Sequence, residues 1–156
     1  MQLLYSLDKH PGQELEPALE LFLADGGVGM SEPDETKAYC RYLVRGTWAR
    51  RAELDDILLR VVVGWRPERM VSVDRAILRM VIFEGFLERK VPFKLAVSEA
   101  VKIAMVFGTD DSGRFINGVL AHVVEQMIPE AERRDKKRPG KGQDDAAKNT
   151  AVPADG

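Results

Sequence analysis

Apolar residues recur with the period of a helix along most of this chain. At its start, Leu3, Leu4 and Leu7 keep that spacing until His10-Pro11-Gly12 ends the segment. Pro17 suits the first turn of a second helix, which Gly26-Gly27 ends. The same signals predict further helices over the following stretches: one long helix or two with a bend from the Ser31 and Asp34 capping pattern to about 63, then 72–88, 92–107, and a last helix ending near Met127.

The stretch 72–88 is apolar almost all round, which is typical of a helix at the centre of a bundle. In the next helix we expect Leu95, Val97, Val101 and Ala104 to point inward. Strand signals are weak, and the predicted helices are joined by short loops. Six or seven helices with such connections predict an all-α bundle.

Composition places the chain among ordinary globular proteins. Its 156 residues, 45% hydrophobic and 31% charged, fit one domain with its own core. The formal net charge is −2, so nucleic-acid binding needs a local basic patch. The single cysteine, Cys40, excludes an internal disulfide and a cysteine-based metal cluster, and no secretory or membrane-spanning segment is visible. We expect a cytoplasmic protein with no membrane contact.

The last part of the chain differs from the rest. From about residue 130 it is polar, with almost no apolar residue and six basic residues between Arg133 and Lys141. Such a segment cannot offset the entropy of ordering by burial. The sequence therefore predicts a helical domain over 1–129 and a disordered tail with a basic run over 130–156.

The segment from Gly108 to Leu120 combines a helix end with a helix start. We expect Gly108 to close one helix in a conformation with positive φ, and Asp110, Asp111 or Ser112 to cap the next. Inside that next helix, Arg114 and Phe115 lie beside the apolar stripe. An aromatic residue next to a cation at a helix start fits a contact with nucleic acid. The core stripe itself is predicted to consist of Ile116, Val119, Leu120, Val123, Val124 and Met127.

The residues do not favour catalysis. The two histidines, His10 and His122, lie far apart in sequence and lack a second ligand at metal-binding spacing. No glycine loop of the phosphate-binding type is present. Asp110 and Asp111 suit capping better than acid–base work because they stand at a predicted helix start. We expect no enzyme, cofactor or metal.

Glu84 is harder to place. At 100° per residue it falls in the middle of an apolar arc on the most apolar helix, where a charge needs a partner. The partner can be an internal arginine such as Arg41 or Arg45, or a basic protein bound at the surface. The spacing alone leaves both alternatives open.

Four blocks of sequence occur in an order and spacing that match a known family. They are Leu4-Tyr5-Ser6, the run from Asp74 to Arg79 leading into Phe83-Glu84, Val91-Pro92-Phe93-Lys94 with Ser98-Glu99-Ala100-Val101, and the segment from Phe107 to Leu120. The chain from about 2 to 128 resembles the NusB family of bacterial transcription antitermination factors. The resemblance implies an all-helical protein of two packed subdomains that pairs with ribosomal protein NusE. It also implies binding to the boxA RNA of ribosomal transcripts within an RNA polymerase antitermination complex.

Site residues follow from that resemblance position by position. Tyr5 and Glu84 match positions that face NusE, and Asp111, Arg114 and Phe115 match the helix start that faces RNA. With this match, Glu84 acquires the basic partner that its position requires.

The chain also departs from the family pattern. The arginine-rich stretch that usually precedes the first helix in the family is missing here, so either the start has been assigned too late or a share of the phosphate contacts has been lost. The apolar pattern already running at Leu3 indicates that the first helix begins upstream. Met105 stands where a lysine is frequent, and Lys102, one turn earlier, is expected to bind RNA in its place. Two alternatives remain: a helical adaptor or homodimer without RNA binding, and a relative of the amino-terminal domain of RNA cytosine methyltransferases.

Overall fold

The computed structural model describes residues 1–24, 33–62 and 69–127, which are mainly helical. The predicted all-α bundle of six to seven helices is confirmed over these ranges. Ser31 and the predicted tail 130–156 lie outside them. The elements are α1 (Gln2–Lys9), α2 (Leu15–Ala24), α3 (Asp34–Ala49), α4 (Arg51–Val61), α5 (Ser72–Val81), a π helix (Ile82–Leu87) that continues α5, α6 (Phe93–Phe107) and α7 (Ser112–Met127).

Two hydrophobic cores share helix α5. The first joins α1, α2 and α3 through residues such as Leu7, Leu19 and Val44, and Ala76 of α5 contributes to it. The second joins α4, the π helix, α6 and α7, and it takes Ile77 from α5. An apolar surface nearly all round α5 is what two cores require of a shared helix. The two packed subdomains implied by the resemblance are therefore present.

The π helix changes the direction of side chains at the end of α5. The amide of Glu88 donates to the carbonyl of Phe83, five residues back, across 2.9 Å. Because a π turn holds more residues than an α turn, the side chains after Val81 no longer follow the 100° spacing. At Gly46 of α3 a Cβ atom would overlap the Phe83 ring, so this glycine allows α3 and the π helix to pack closely.

The stretch after Asp34 folds as two helices with a bend, the second of the two predicted forms. Arg50 lies between α3 and α4 with φ −100° and ψ 14°. Its guanidinium bonds Glu53 of α4 and Glu88 after the π helix, at 2.8 and 2.7 Å. The bend thus occurs where the arginine can reach both acids.

Helix α6 buries most of the predicted face, but not Leu95. Ala104 is buried, and Val97 and Val101 are half-buried against the second core, together with the buried Phe93, Ala96 and Ala100. Leu95 is 51% exposed. The expectation for Leu95 is wrong because the three alanines let α6 approach α5 and α7 along their side. No helix among the described residues is long and apolar enough to cross a membrane.

Candidate nucleic-acid and protein interfaces

Gly108 ends α6, but not by the predicted conformation. Its φ is −92° and its ψ is −162°, so the expectation of a positive φ is wrong. A Cβ atom here would lie 2.5 Å from the Ser112 side chain and 2.6 Å from the Ala104 carbonyl oxygen. Glycine is needed at this position because α6 and the start of α7 leave no room for a side chain.

Ser112 is the first residue of α7 and closes the turn that leads into the helix. Its Oγ accepts a hydrogen bond from the Thr109 amide at 2.8 Å and lies 3.1 Å from the Thr109 hydroxyl. Among the three predicted capping residues, Ser112 thus bonds a backbone amide, but one that precedes the helix.

Asp74 connects α5 to this corner. Its side chain is buried, and the Ser112 hydroxyl hydrogen-bonds to it. Burial raises the pKa of Asp74, although the bond from Ser112 acts in the opposite direction. Within the described ranges its Oδ1 atom has no hydrogen-bond partner. We call the junction where α6 ends and α7 begins the α6–α7 corner. Asp74 lies beneath this corner and is not part of its surface.

The cations predicted to face RNA lie on the surface of that corner. Arg114 is 90% exposed along its side chain, and its guanidinium stands 3.9 Å from the equally exposed Asp111 carboxylate. Lys102 is 66% exposed and pairs with Glu99 at 2.7 Å. Exposed pairs of this kind contribute at most about 1 kcal/mol. Both cations can therefore exchange their acid for a phosphate at little cost.

Phe115 occupies a boundary position. It is half-buried and packs against the core formed by α4 to α7. Its backbone amide donates to the Asp111 carbonyl at 2.9 Å, as the first turn of α7 requires. Part of the ring is therefore committed to the core.

Beside these residues lies an apolar surface that the sequence reasoning did not identify. Met105 is 74% and Val106 73% exposed, while Phe107 is 48% exposed. The Cγ atom of Met105 lies 3.2 Å from where a Cβ would stand on Gly113, so Met105 rests on the start of α7. Their position in α6 could have indicated this exposure, because residues 105–107 follow Ala104, the last buried alanine of the helix.

Glu84 lies on a second surface, where α3 meets the π helix. The Tyr39 hydroxyl donates a short hydrogen bond to its Oε1 atom. Of the two alternatives for Glu84, the internal arginine does not fit: Arg41 pairs with Glu20 at 3.0 Å and Arg45 with Glu16 at 2.6 Å, and both of these acids lie on α2. The helical projection failed because the π helix turns Glu84 toward α3.

Two tyrosines and two acids lie close together here, and we call them the α3–π surface: Tyr39, Tyr42, Glu84 and Glu88. Tyr42 stacks on Tyr39 with ring centroids 5.9 Å apart, and its hydroxyl donates to Glu88 at 3.2 Å. Burial, and then the bond to Glu84, raise the pKa of Tyr39. Lys90 lies over the Tyr42 ring, 5.4 Å from its centroid. The two tyrosines share a face because they are three residues apart.

Tyr5 is 38% exposed on α1, where the Lys9 ammonium stands 5.9 Å from its ring centroid. The partners that the structure gives to Tyr5 lie on α1, whereas those of Glu84 lie on α3. In the described structure both residues predicted to contact NusE, Tyr5 and Glu84, reach the surface, but they have no bonding partner in common.

The arginines of the Asp74–Arg79 block have a structural role. Arg75 and Arg79 pair with Asp8 of α1 at 2.7 and 2.9 Å, and Arg79 also pairs with Asp55 of α4 at 2.6 Å. Burial raises the pKa of Asp8, but the bonds from both arginines prevail and hold it below its ordinary value. This network ties the helices of both cores to α5. Within the part of the chain that the structure describes, no group of three or more metal-ligating side chains occurs.

Comparison with known proteins decides the family. The family model for NusB matches residues 1–125. The chain belongs to the NusB family. Transcription antitermination protein NusB of Symbiobacterium thermophilum is 47% identical over 94 residues, which cover 60% of this chain and 61% of that protein. NusB of Chloroflexus aggregans is 35% identical over 138 residues, covering 87% and 89%.

Solved structures confirm the NusB fold. T. maritima NusB matches with a TM-score of 0.73 at 26% identity, covering 85% of this chain and 90% of that one. NusB in a complex of antitermination factors NusB and NusE with double-stranded RNA matches with a TM-score of 0.70, covering 79% and 88%. At 19% identity this second likeness concerns the fold alone. The predicted family and the predicted two-subdomain fold are confirmed.

Proposed function

We propose that this chain is a transcription antitermination factor that pairs with ribosomal protein NusE and binds boxA RNA of ribosomal transcripts. It acts in the bacterial cytoplasm, as part of an RNA polymerase antitermination complex, and catalyses no reaction. The observation that carries the proposal is the match to the NusB family over residues 1–125, together with the two hydrophobic cores of the described residues. A solved complex of a protein of this fold with NusE and RNA supports it.

RNA binds at the α6–α7 corner. Lys102 and Arg114 are exposed cations beside the start of α7, so they neutralise phosphates and release counterions. Asp111, 3.9 Å from Arg114, belongs to the same helix start. Phe115 offers the solvent-exposed part of its ring to a base.

NusE binds at the α3–π surface and at Tyr5. Glu84 is half-exposed and keeps a hydroxyl donor, Tyr39, on one oxygen, which fixes the carboxylate while leaving it able to accept from a basic partner. Tyr5 is the type of residue that carries binding energy in interfaces, because its ring is apolar and its hydroxyl is polar.

Replacing Glu84 by alanine tests the pairing with NusE. We expect NusE affinity to fall by roughly 2–5 kcal/mol, the usual loss for one partner of a desolvated charge pair. Calorimetric titration of NusE into the intact chain measures it, and circular dichroism with temperature measures stability. Glu125→Ala, which removes an exposed acid on α7, serves as the control and keeps full affinity. An unchanged NusE affinity with a large drop in melting temperature would make Glu84 a structural residue.

A further inference from the structure

Helix α6 presents two adjacent apolar side chains to solvent near its end. Met105 and Val106 are each nearly three quarters exposed, more than the other large apolar residues on the described surface. Lys102 lies three and four residues before them, so all three share one face of α6. Apolar side chains grouped in this way mark a surface that binds a partner.

The same surface continues onto α7. Met105 rests on Gly113, with its Cγ 3.2 Å from where a Cβ would stand. Arg114 follows Gly113 directly in α7, and its side chain is 90% exposed. We call Lys102, Met105, Val106 and Arg114 the Met105 ledge. It combines two exposed apolar side chains with two exposed cations.

The charges favour a nucleic acid over an apolar protein segment. Lys102 and Arg114 pair only weakly with the exposed acids Glu99 and Asp111 in the described structure, so both are available to phosphates. Proteins that bind single strands combine such cations with a surface on which bases lie. A methionine sulfur makes favourable contacts with aromatic rings, and a nucleobase offers one.

Phe115 cannot supply the whole of this contact, because part of its ring packs against the core. Met105 has no such commitment apart from its contact with Gly113. We propose that an unpaired base of boxA RNA lies on Met105 and Val106, while Lys102 and Arg114 bind the phosphates on either side. This inference rests on the proposed function and adds a base-binding site to it.

The test couples changes in the protein to changes in the RNA. A series of boxA oligonucleotides, each with one abasic nucleotide, is titrated by fluorescence anisotropy against the intact chain with NusE present. We expect one or two abasic positions to weaken binding, and Met105→Ala to weaken binding to the unmodified RNA by about three- to tenfold. At those same positions the abasic change should have no further effect in Met105→Ala, since the contact is already lost.

Two further variants separate an apolar contact from other roles. Leu95→Ala removes an equally apolar, exposed residue at the other end of α6 and is expected to bind like the unmodified chain. Lys102→Ala should reduce the salt dependence of binding, whereas Met105→Ala should leave it unchanged. Melting temperatures of Met105→Ala and Leu95→Ala should match the unmodified chain, because both side chains are exposed.

The outcomes distinguish this inference from the function beneath it. If the chain with NusE does not bind boxA RNA at all, the proposed function fails. If it binds, and the effects of Met105→Ala and every abasic position simply add, the Met105 ledge is not the base site. Loss of NusE binding in Met105→Ala with RNA contacts intact would assign the ledge to a protein and overturn the inference.

Discussion

At the scale of a single residue, Phe115 has a contact with the core and a proposed contact with RNA. Its ring is half-buried against the second core, while its position at the start of α7 puts it next to the exposed Arg114. Loss of a stacked base would weaken RNA binding. Loss of core packing would lower the free energy of unfolding.

We predict that Phe115→Ala lowers RNA affinity by about 1 kcal/mol, the low end for a stacked base, because only part of the ring is available. Stability should fall by less than the roughly 3–5 kcal/mol that truncating a fully buried phenylalanine costs. Anisotropy with NusE present and chemical denaturation measure the two. Normal RNA binding with a full core-sized loss of stability would make Phe115 a core residue only.

The surroundings of some of these residues could be predicted from the sequence, and those of others could not. The exposure of Arg114 and Lys102 could be predicted, because charged residues off an apolar stripe face solvent. The partner of Glu84 could not, since it depends on Tyr39, 45 residues earlier, and on a π helix that no local pattern announces. The exposure of Met105 and Val106 could not be predicted, because an apolar residue is assigned to the core until the buried face of its helix is known.

The π helix is the feature that matters most at the scale of elements. It directs Glu84 toward α3, and it packs the Phe83 ring against Gly46. Tyr42 lies against the same ring, with centroids 5.5 Å apart. A substitution at Gly46 should therefore alter the packing beneath the α3–π surface without replacing an exposed residue.

We predict that Gly46→Ala destabilises the chain by about 1–2 kcal/mol, because the buried Phe83 ring must move to admit the methyl group. This loss prevails over the roughly 1 kcal/mol that alanine gains over glycine in a helix. Gly118→Ala is the matched control: nothing lies within 4 Å of its new Cβ, so it should stabilise the chain. Urea denaturation compares the two, and equal stabilisation by both would disprove the close packing of α3 on the π helix.

Element positions were largely predictable, and their ends were less so. Apolar periodicity and Pro92 located the helices because these signals are local. The bend at Arg50 comes with a bond to Glu88, 38 residues later in the chain, of which the local sequence carries no record. The conformation of Gly108 comes with crowding by Ala104 and Ser112, which are near in sequence but are brought together only by the packing of α6 on α7.

At the scale of the whole molecule, α5 holds two cores together, and an ion-pair network reinforces it. Asp8 of α1 and Asp55 of α4 both bind Arg79, whose side chain is 10% exposed. A partly buried network of this kind costs much to break, because it leaves charges without partners. It fixes the relative placement of the surfaces that we assign to RNA and NusE.

We predict that Asp8→Asn lowers the free energy of unfolding at pH 7 by about 3 kcal/mol. Since the folded pKa of Asp8 is lowered, its contribution is complete above the ordinary aspartate value of about 3.9 and is lost as pH falls through the folded value. The two unfolding curves should therefore converge in acid. Glu20→Gln, which breaks an exposed pair, should change stability far less. A difference that stays constant down to pH 2 would show that Asp8 acts by packing rather than by charge.

The most direct test of the whole account is binding of boxA RNA to the intact chain with and without NusE, measured by anisotropy over a range of salt concentrations. We predict that the pair binds more tightly than either protein alone, and that affinity falls as salt rises. In Arg114→Ala the slope of log K against log salt should be smaller by about 0.7, the value for one phosphate contact to a single strand. No binding by the pair at concentrations where NusE is bound, or an Arg114→Ala slope equal to that of the unmodified chain, would contradict the account.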